Sequence, residues 1–187
     1  VKLTPTTALI IIDQQKGLDN PKLGPRNNPD AETVMLKLLG AWRAAQWPII
    51  HVRHRSPEPD SVFWPEQQGF EFKPDFLPQG DEPIVEKNVP CALLKTNLEQ
   101  ILDQKNIRKI VLIGASTNNS IEATARNLSS LGFRVCIVED ACFTFAKKDY
   151  FGTARAAADV HAMSLANLRD EYAEITHSTQ LLMEFAC

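Results

Sequence analysis

The chain has 187 residues, 44% of them hydrophobic, and a formal net charge of -3; this is enough to bury one sizeable core and short for two ordinary domains. Its 20 Lys and Arg are dispersed and leave no electrostatic footprint for nucleic acid. The first apolar run, Ala8-Leu9-Ile10-Ile11-Ile12, is far too short to cross a membrane and lacks the features of a secretory leader, so one cytoplasmic domain over residues 1–187 is expected.

Short apolar runs alternate with longer amphipathic stretches, the pattern of an α/β fold whose mostly parallel sheet is covered by helices on both faces. The first strand is predicted over Ala8 to Ile12 and ends in Asp13, Gln14 and Gln15, with Gly17 to turn the chain. Asp30 stands where a helix N-cap belongs, and Val34, Leu38, Ala41, Trp42 and Ala45 recur at helical spacing. That helix crosses to a second strand over Pro48 to Val52. From Arg53 to Asp81 comes an irregular segment with five prolines and the aromatics Phe63, Trp64, Phe70, Phe72 and Phe76. Loops this long are functional or disordered, and aromatics argue against disorder, so a pocket lid or an exposed subunit contact is expected.

A third strand over Pro83 to Glu86 leads to Lys87 and then to Asn88-Val89-Pro90-Cys91. A helix is predicted from Thr96 to Gln104, a fourth strand from Lys109 to Ile113, and a helix from Ser120 to Leu131 with Gly132 as its stop. A fifth strand over Arg134 to Val138, a helix over Tyr150 to Met163, a sixth strand over Ala173 to Ile175 and a helix over His177 to Phe185 complete the order. No repeat or linker divides it. Cys91, Cys136, Cys142 and Cys187 show no paired spacing, which predicts reduced, mostly buried thiols.

In open parallel sheets the ligand crevice lies at the carboxyl ends of the strands. Asp13 would point into it, or would merely hydrogen-bond its own loop. Lys87, at the end of the third strand, could hold a catalytic anion or depress a thiol pKa, or could be a solvated lysine. The fourth strand breaks at Gly114 and passes through Ala115-Ser116-Thr117-Asn118-Asn119 to Ser120 at a helix start. Unpaired N–H groups and the helix dipole favour an oxyanion or thiolate there, and capping by Thr117, Asn119 or Ser120 fits the same residues.

The set is more specific than its members. The pattern Ala8-Leu9-Ile10-Ile11-Ile12-Asp13-x-Gln15, the lysine after the third strand, and Gly114 through Ser120 followed by Glu122-Ala123-Thr124-Ala125-Arg126 resemble the isochorismatase-like cysteine hydrolase superfamily. Val138-Glu139-Asp140-Ala141 and His161-Ala162-Met163 look like it too, and the resemblance covers nearly the whole chain. It implies a three-layer α/β/α domain of about six strands and an Asp-Lys-Cys triad that cleaves C–N bonds of small amides, ureides or carbamoyl compounds, as in the related nicotinamidases and N-carbamoylsarcosine amidohydrolases. Under it Asp13 is the proton-transferring base and Lys87 stabilises the anionic nucleophile. A cis peptide would lie between Ser116 and Thr117, turning N–H groups near Asn119 and Ser120 toward the oxyanion. Gln15, Phe63, Trp64, Phe70 and Phe72 would shape the substrate pocket, and the chain would assemble as a homodimer or homotetramer.

The chain departs from that pattern at the nucleophile, where Ser120 replaces the cysteine. A hydroxyl cannot be ionised as a thiol can, so turnover should be crippled, and the serine is either an introduced replacement or the residue of a divergent homologue. A ligand-binding pseudoenzyme, a vinyl-ether-cleaving isochorismatase and a displaced nucleophile at Cys91 are the alternatives. The nicotinamidase branch binds a divalent ion through an Asp-x-His pair, whereas this chain reads His51-Val52-Arg53-His54, with valine where the aspartate is needed. No metal and no cofactor are expected.

Overall fold

A computed structural model describes residues 2–185. Its elements are β1 (Thr7–Ile12), α1 (Ala31–Ala45), β2 (Ile49–His54), β3 (Ile84–Lys87), α2 (Leu98–Gln104), β4 (Lys109–Ala115), α3 (Glu122–Ser130), β5 (Arg134–Phe143), β6 (Lys147–Lys148), β7 (Ala154–Arg155), α4 (Ala157–Leu168), β8 (Glu174–Thr176) and α5 (Ser178–Met183). Six strands form one sheet in the order β3-β2-β1-β4-β5-β8, every neighbouring pair parallel. Because side chains alternate along a strand, each strand feeds two cores. Ala8, Ile10, Ile12, Val52 and Leu112 pack beneath α2, α3 and α4, while Leu9, Ile11, Val111, Ile113 and Val138 pack beneath α1 and α5. The result is the three-layer α/β/α architecture.

The buried stripe of α1 matches the expected one at Leu38 and Trp42 and departs from it elsewhere. Ala31, Met35, Leu38, Leu39 and Trp42 are buried, whereas Val34, Ala41 and Ala45 lie at the margin. Trp42 anchors the helix twice, through its ring in the core and through its Nε1–H, which donates to the Thr7 carbonyl at 3.0 Å.

Two expectations fail locally. Tyr150 opens no helix; residues 147–155 form the β6–β7 hairpin and α4 begins only at Ala157. The Asp149 carboxylate accepts from the Phe151 and Thr153 N–H groups and pairs with Arg155, and Gly152 takes φ +85° at the turn. That local network outcompetes a helix. The aromatics of the segment from Arg53 to Asp81 are not exposed as a set either: Phe70, Phe72 and Phe76 are buried in the chain's own interior, and Phe63 and Trp64 are half-buried. Exposure of aromatics is instead found on the hairpin, at Tyr150 and Phe151.

β5 also runs past its expected end. Its pairing with β4 is irregular between Leu112 and Gly114, so that Gly114 meets Cys142. This carries Asp140 out to the start of α5, where its carboxylate accepts from Ser178 N at 2.8 Å and Ser178 Oγ at 2.6 Å. Among the described residues no helix is long and apolar enough to cross a membrane.

Candidate active site

β1 is followed in the sheet by β2 on one side and β4 is followed by β5 on the other, so the loops leaving β1 and β4 part at their carboxyl ends. Asp13 and Ser120 stand on the two sides of that opening. Asp13 has φ 56°, in the left-handed region that a short acidic side chain tolerates better than a bulky one, and its N–H donates to the Val52 carbonyl at 2.8 Å. Opposite, Gly114 has φ +125°, and a Cβ there would sit 2.2 Å from the Ile12 carbonyl oxygen. Only glycine lets β4 finish against β1 at this point.

Lys87 closes the set from β3. Its buried side chain runs past the end of β2 and donates to Asp13 Oδ2 at 2.7 Å, to Ser120 Oγ at 3.2 Å and to His54 Nδ1 at 3.2 Å. Ser120 Oγ–H donates to the same Asp13 Oδ2 at 2.9 Å. Residues 74 and 33 positions apart in the chain thus share one set of hydrogen bonds. Asp13 Oδ1 is buried without a hydrogen-bond partner among the described residues. An orphaned carboxylate oxygen is costly unless something arrives to satisfy it.

A cavity of about 300 Å³ opens beside these groups. Asp13, His54, Ser116, Asn119 and Ser120 form its polar side, and Leu18, Leu23, Phe63 and Phe145 line the apolar one. His54 was not among the expected site residues. Burial holds its imidazole below the usual histidine range, and the charge of Lys87 pushes it further down against the pull of Asp13. A sequence signal existed: His54 ends the strand that lies between those of Asp13 and Lys87.

The nucleophile turn differs from expectation. Its cis peptide is Ala115–Ser116, one bond earlier than Ser116–Thr117, because Ala115 still pairs with Phe143 as a strand residue and the turn begins only at Ser116. The Ser116 carbonyl accepts from the N–H groups of Asn119 at 3.1 Å and Ile121 at 3.2 Å, so the Asn119 amide is already taken and does not serve an oxyanion. Thr117 faces the other way. Its Oγ1 bonds His161 Nδ1 at 2.8 Å, and its carbonyl accepts from Ser164 Oγ at 3.1 Å. Residues 117–121 form one π turn before α3 begins, which puts Ser120 on the turn rather than on the helix proper.

Of the expected pocket residues, only Phe63 lines the cavity, its ring edge-on to His54 at 5.8 Å between centroids. Phe70 and Phe72 lie beneath the Arg53 guanidinium, 4.3 and 5.4 Å from it, and Trp64 is half-buried outside the cavity lining. Gln15 is fully buried and works as a clamp. Its Nε2 donates to the carbonyls of His54 and Phe70, both at 2.9 Å, and its Oε1 accepts from His54 N at 2.7 Å. Aromatic content in a loop marks burial, but it does not say on which side of the backbone each ring falls.

The model of the isochorismatase domain matches residues 7–180. The chain belongs to the isochorismatase family. A crystal structure of an isochorismatase-family hydrolase from Chromobacterium violaceum ATCC 12472 superposes with a TM-score of 0.95 at 43% identity, covering 100% of this chain and 97% of that one. The isochorismatase family protein YrdC of Bacillus subtilis (strain 168) is 38% identical over 178 residues, 95% of each chain. Nicotinamidase 3 of Arabidopsis thaliana is 27% identical over 194 residues, 93% of this chain and 86% of its own.

In this isochorismatase-family hydrolase the two histidines of β2 do not fit a shared metal ion. Three positions apart on a strand, they point to opposite faces. His51 Nε2 lies 2.8 Å from Glu82 Oε2, while His54 faces Lys87. Among the described residues no group of three His, Cys, Asp or Glu side chains is placed to hold a metal. Cys91, Cys136 and Cys142 are free and buried, Cys91 is not part of the cavity lining, and Cys187 lies outside the described residues. Burial pushes the Cys136 thiol up to about 12.

Proposed function

We propose that this isochorismatase-family hydrolase cleaves the C–N bond of a small, uncharged amide, ureide or carbamoyl compound, with Ser120 in the place of the nucleophile and Asp13 and Lys87 as its partners. One observation carries the reading: Ser120 Oγ–H donates at 2.9 Å to the Asp13 oxygen that Lys87 holds at 2.7 Å, on the wall of a cavity. The cavity, about 300 Å³, is at the small end of ligand sites. Lys87 is the only cation in contact with the site among the described residues, and it is already paired. A charged substrate would therefore be left without a counter-ion. That disfavours isochorismate itself, which carries two carboxylates.

In the proposed reaction Ser120 Oγ attacks the substrate carbonyl carbon while its proton passes to Asp13 Oδ2. The carbonyl electrons move to its oxygen, which lies against the amides of Ser116 and Ser120. Collapse of this adduct breaks the C–N bond, and the leaving nitrogen takes the proton back from Asp13. Water then attacks the acyl ester, passes a proton through Asp13, and Ser120 is regenerated with release of the acid. Lys87 keeps its positive charge beside Asp13 throughout and holds the carboxylate in line with the nucleophile.

A carboxylate is a poor base for a hydroxyl and an adequate one for a thiol, so the serine chain runs this cycle slowly. The test compares the Ser120 and Ser120→Cys proteins on a panel of small amides, with intact-mass detection of an acyl adduct at residue 120. An adduct and product from the cysteine form are expected. A panel on which the cysteine form is as inert as Ser120→Ala overturns the reading and leaves a binding protein.

A further inference from the structure

The proposed function uses Asp13, Lys87 and Ser120 but gives no task to His54, the fourth polar side chain joined to them. Its chemistry is constrained by its neighbour. The Lys87 ammonium has three protons and no lone pair, and three acceptors surround it: Asp13 Oδ2 at 2.7 Å, Ser120 Oγ at 3.2 Å and His54 Nδ1 at 3.2 Å. His54 Nδ1 must therefore be the acceptor of the third bond. The imidazole is neutral and carries its proton on Nε2. Burial and the charge of Lys87, which both hold the ring below the usual histidine range, agree with this.

The backbone on both sides of the ring is fixed, because Gln15 binds both the N–H and the carbonyl of His54, and the ring packs edge-on against Phe63. Lys87 lies beneath the cavity and is not part of its lining, whereas His54 is. The Nδ1 edge thus faces inward to Lys87, and the opposite edge, with Nε2–H, is the one offered to the cavity. No described residue accepts from Nε2. Asp13 lines the same cavity, and its Oδ1 is a buried acceptor with no donor among the described residues. His54 Nδ1 and Ser120 Oγ are each 3.2 Å from Lys87 Nζ, so one small molecule can reach both residues.

We propose that His54 is a specificity residue whose Nε2–H reads a second carbonyl oxygen of the substrate while Asp13 Oδ1 accepts an adjacent substrate N–H, which selects uncharged ureide- or imide-like compounds over simple amides. The inference rests on the proposed site. The scissile carbonyl is directed at the nucleophile turn, so the His54 donor requires a further acceptor a few bonds away. A C=O beside an N–H supplies both halves of the pair, and a monofunctional amide would leave the donor and the orphaned carboxylate oxygen unsatisfied.

The test uses acetylurea, which has two carbonyls around one N–H, and ethylurea, in which one carbonyl is a methylene. Imidazole 15N spectra of the Ser120 protein should show Nε2 protonated and Nδ1 bare at His54, with the Nε2 resonance moving as acetylurea is added. Acetylurea should bind roughly tenfold more tightly than ethylurea. His54→Phe should abolish that preference, and His54→Gln, which keeps an N–H at the end of its side chain, should restore part of it. A residue that only steadied Lys87 would weaken both ligands alike when replaced. A proton on Nδ1, an unmoved Nε2 resonance, or a preference that survives in His54→Phe overturns the proposal. The tautomer is read in the unmutated protein and does not depend on any variant folding. All of these readouts report binding, so they hold in a chain that turns over nothing, whereas amide hydrolysis by Ser120→Cys separately decides the proposed function.

Discussion

Two charged clusters hang on β2, each built from a histidine, a carboxylate and a cation, and they do opposite things with their spare atoms. At the carboxyl end, Asp13, Lys87 and His54 leave Asp13 Oδ1 and His54 Nε2 without partners among the described residues, on side chains that line a cavity. In the other, Arg43 grips Glu82 through both oxygens at 2.7 and 2.8 Å, His51 Nε2 sits at 2.8 Å, and the Gln79 N–H donates at 2.9 Å. Every lone pair of Glu82 that matters is engaged. Although Arg43, Gln79 and Glu82 border a cavity of about 440 Å³, the orphan there among the described residues is His51 Nδ1, on a side chain that is fully buried beside the Phe72 ring. Buried charge alone therefore does not mark a site. What separates the two clusters is unsatisfied hydrogen-bonding capacity that a small molecule can reach.

The largest expected effect tests the first cluster's chemistry. Ser120→Cys should raise amide hydrolysis about a thousandfold or more, equivalent to about 4 kcal/mol of barrier, while Ser120→Ala should abolish it. Steady-state rates on the amide panel measure this, and an unmodified chain that already turns over at an ordinary enzyme rate, on the order of 10 per second, would defeat the account of Ser120. Next comes Lys87→Met, which leaves Asp13 buried and uncompensated. A loss of about 3–5 kcal/mol in urea unfolding is expected, along with loss of activity in the cysteine form.

The second cluster should behave as structure only. Glu82→Gln is expected to cost about 1–3 kcal/mol of stability at pH 7 and to leave the activity of the cysteine form unchanged. It also predicts a pH signature. Burial pushes the Glu82 carboxyl up, yet the bonds from Arg43, Gln79 N–H and His51 outweigh it and hold it at about 2, against an ordinary 4.5. The unfolded chain thus takes up this proton first, so the stability due to Glu82 is complete above pH 4.5 and is lost as the pH falls toward 2. Urea midpoints across that range should fall less steeply in Glu82→Gln; parallel curves would remove Glu82 from the acid response. Smallest of all are two near-neutral changes in the cysteine form: a chelator should not alter its rate, and Cys91→Ala should alter it by no more than about twofold, since that thiol is buried off the cavity. Zinc-reversible loss on chelation, or inactivity of a folded Cys91→Ala, would each reassign the chemistry.

Much of the first cluster was readable in advance and little of the second. Asp13, Lys87 and Ser120 each follow a predicted strand or its turn, and the carboxyl ends of parallel strands share one side of the sheet. His54 obeys the same rule, but its spacing from His51 invites a chelating pair that a strand, with its twofold alternation, does not allow. Gln15, Trp64, Phe70 and Phe72 lie off the cavity lining for another reason. Their side chains are set by contacts between β1, the end of β2 and the loop, as in the Gln15 bonds to His54 and Phe70, and local pattern carries no record of those contacts.

The order of apolar runs and amphipathic stretches, by itself, determined the α/β class, the positions of all six sheet strands to within a few residues, and the convergence of Asp13, Lys87 and Ser120, because alternation and burial are local properties of the chain. Which oxygen of Asp13 stays free, which edge of His54 meets the cavity, and where the turn after β4 begins were decided only in three dimensions. Those depend on distances of about 3 Å between residues far apart in sequence, a precision that hydrogen-bond geometry imposes and hydrophobic periodicity cannot encode.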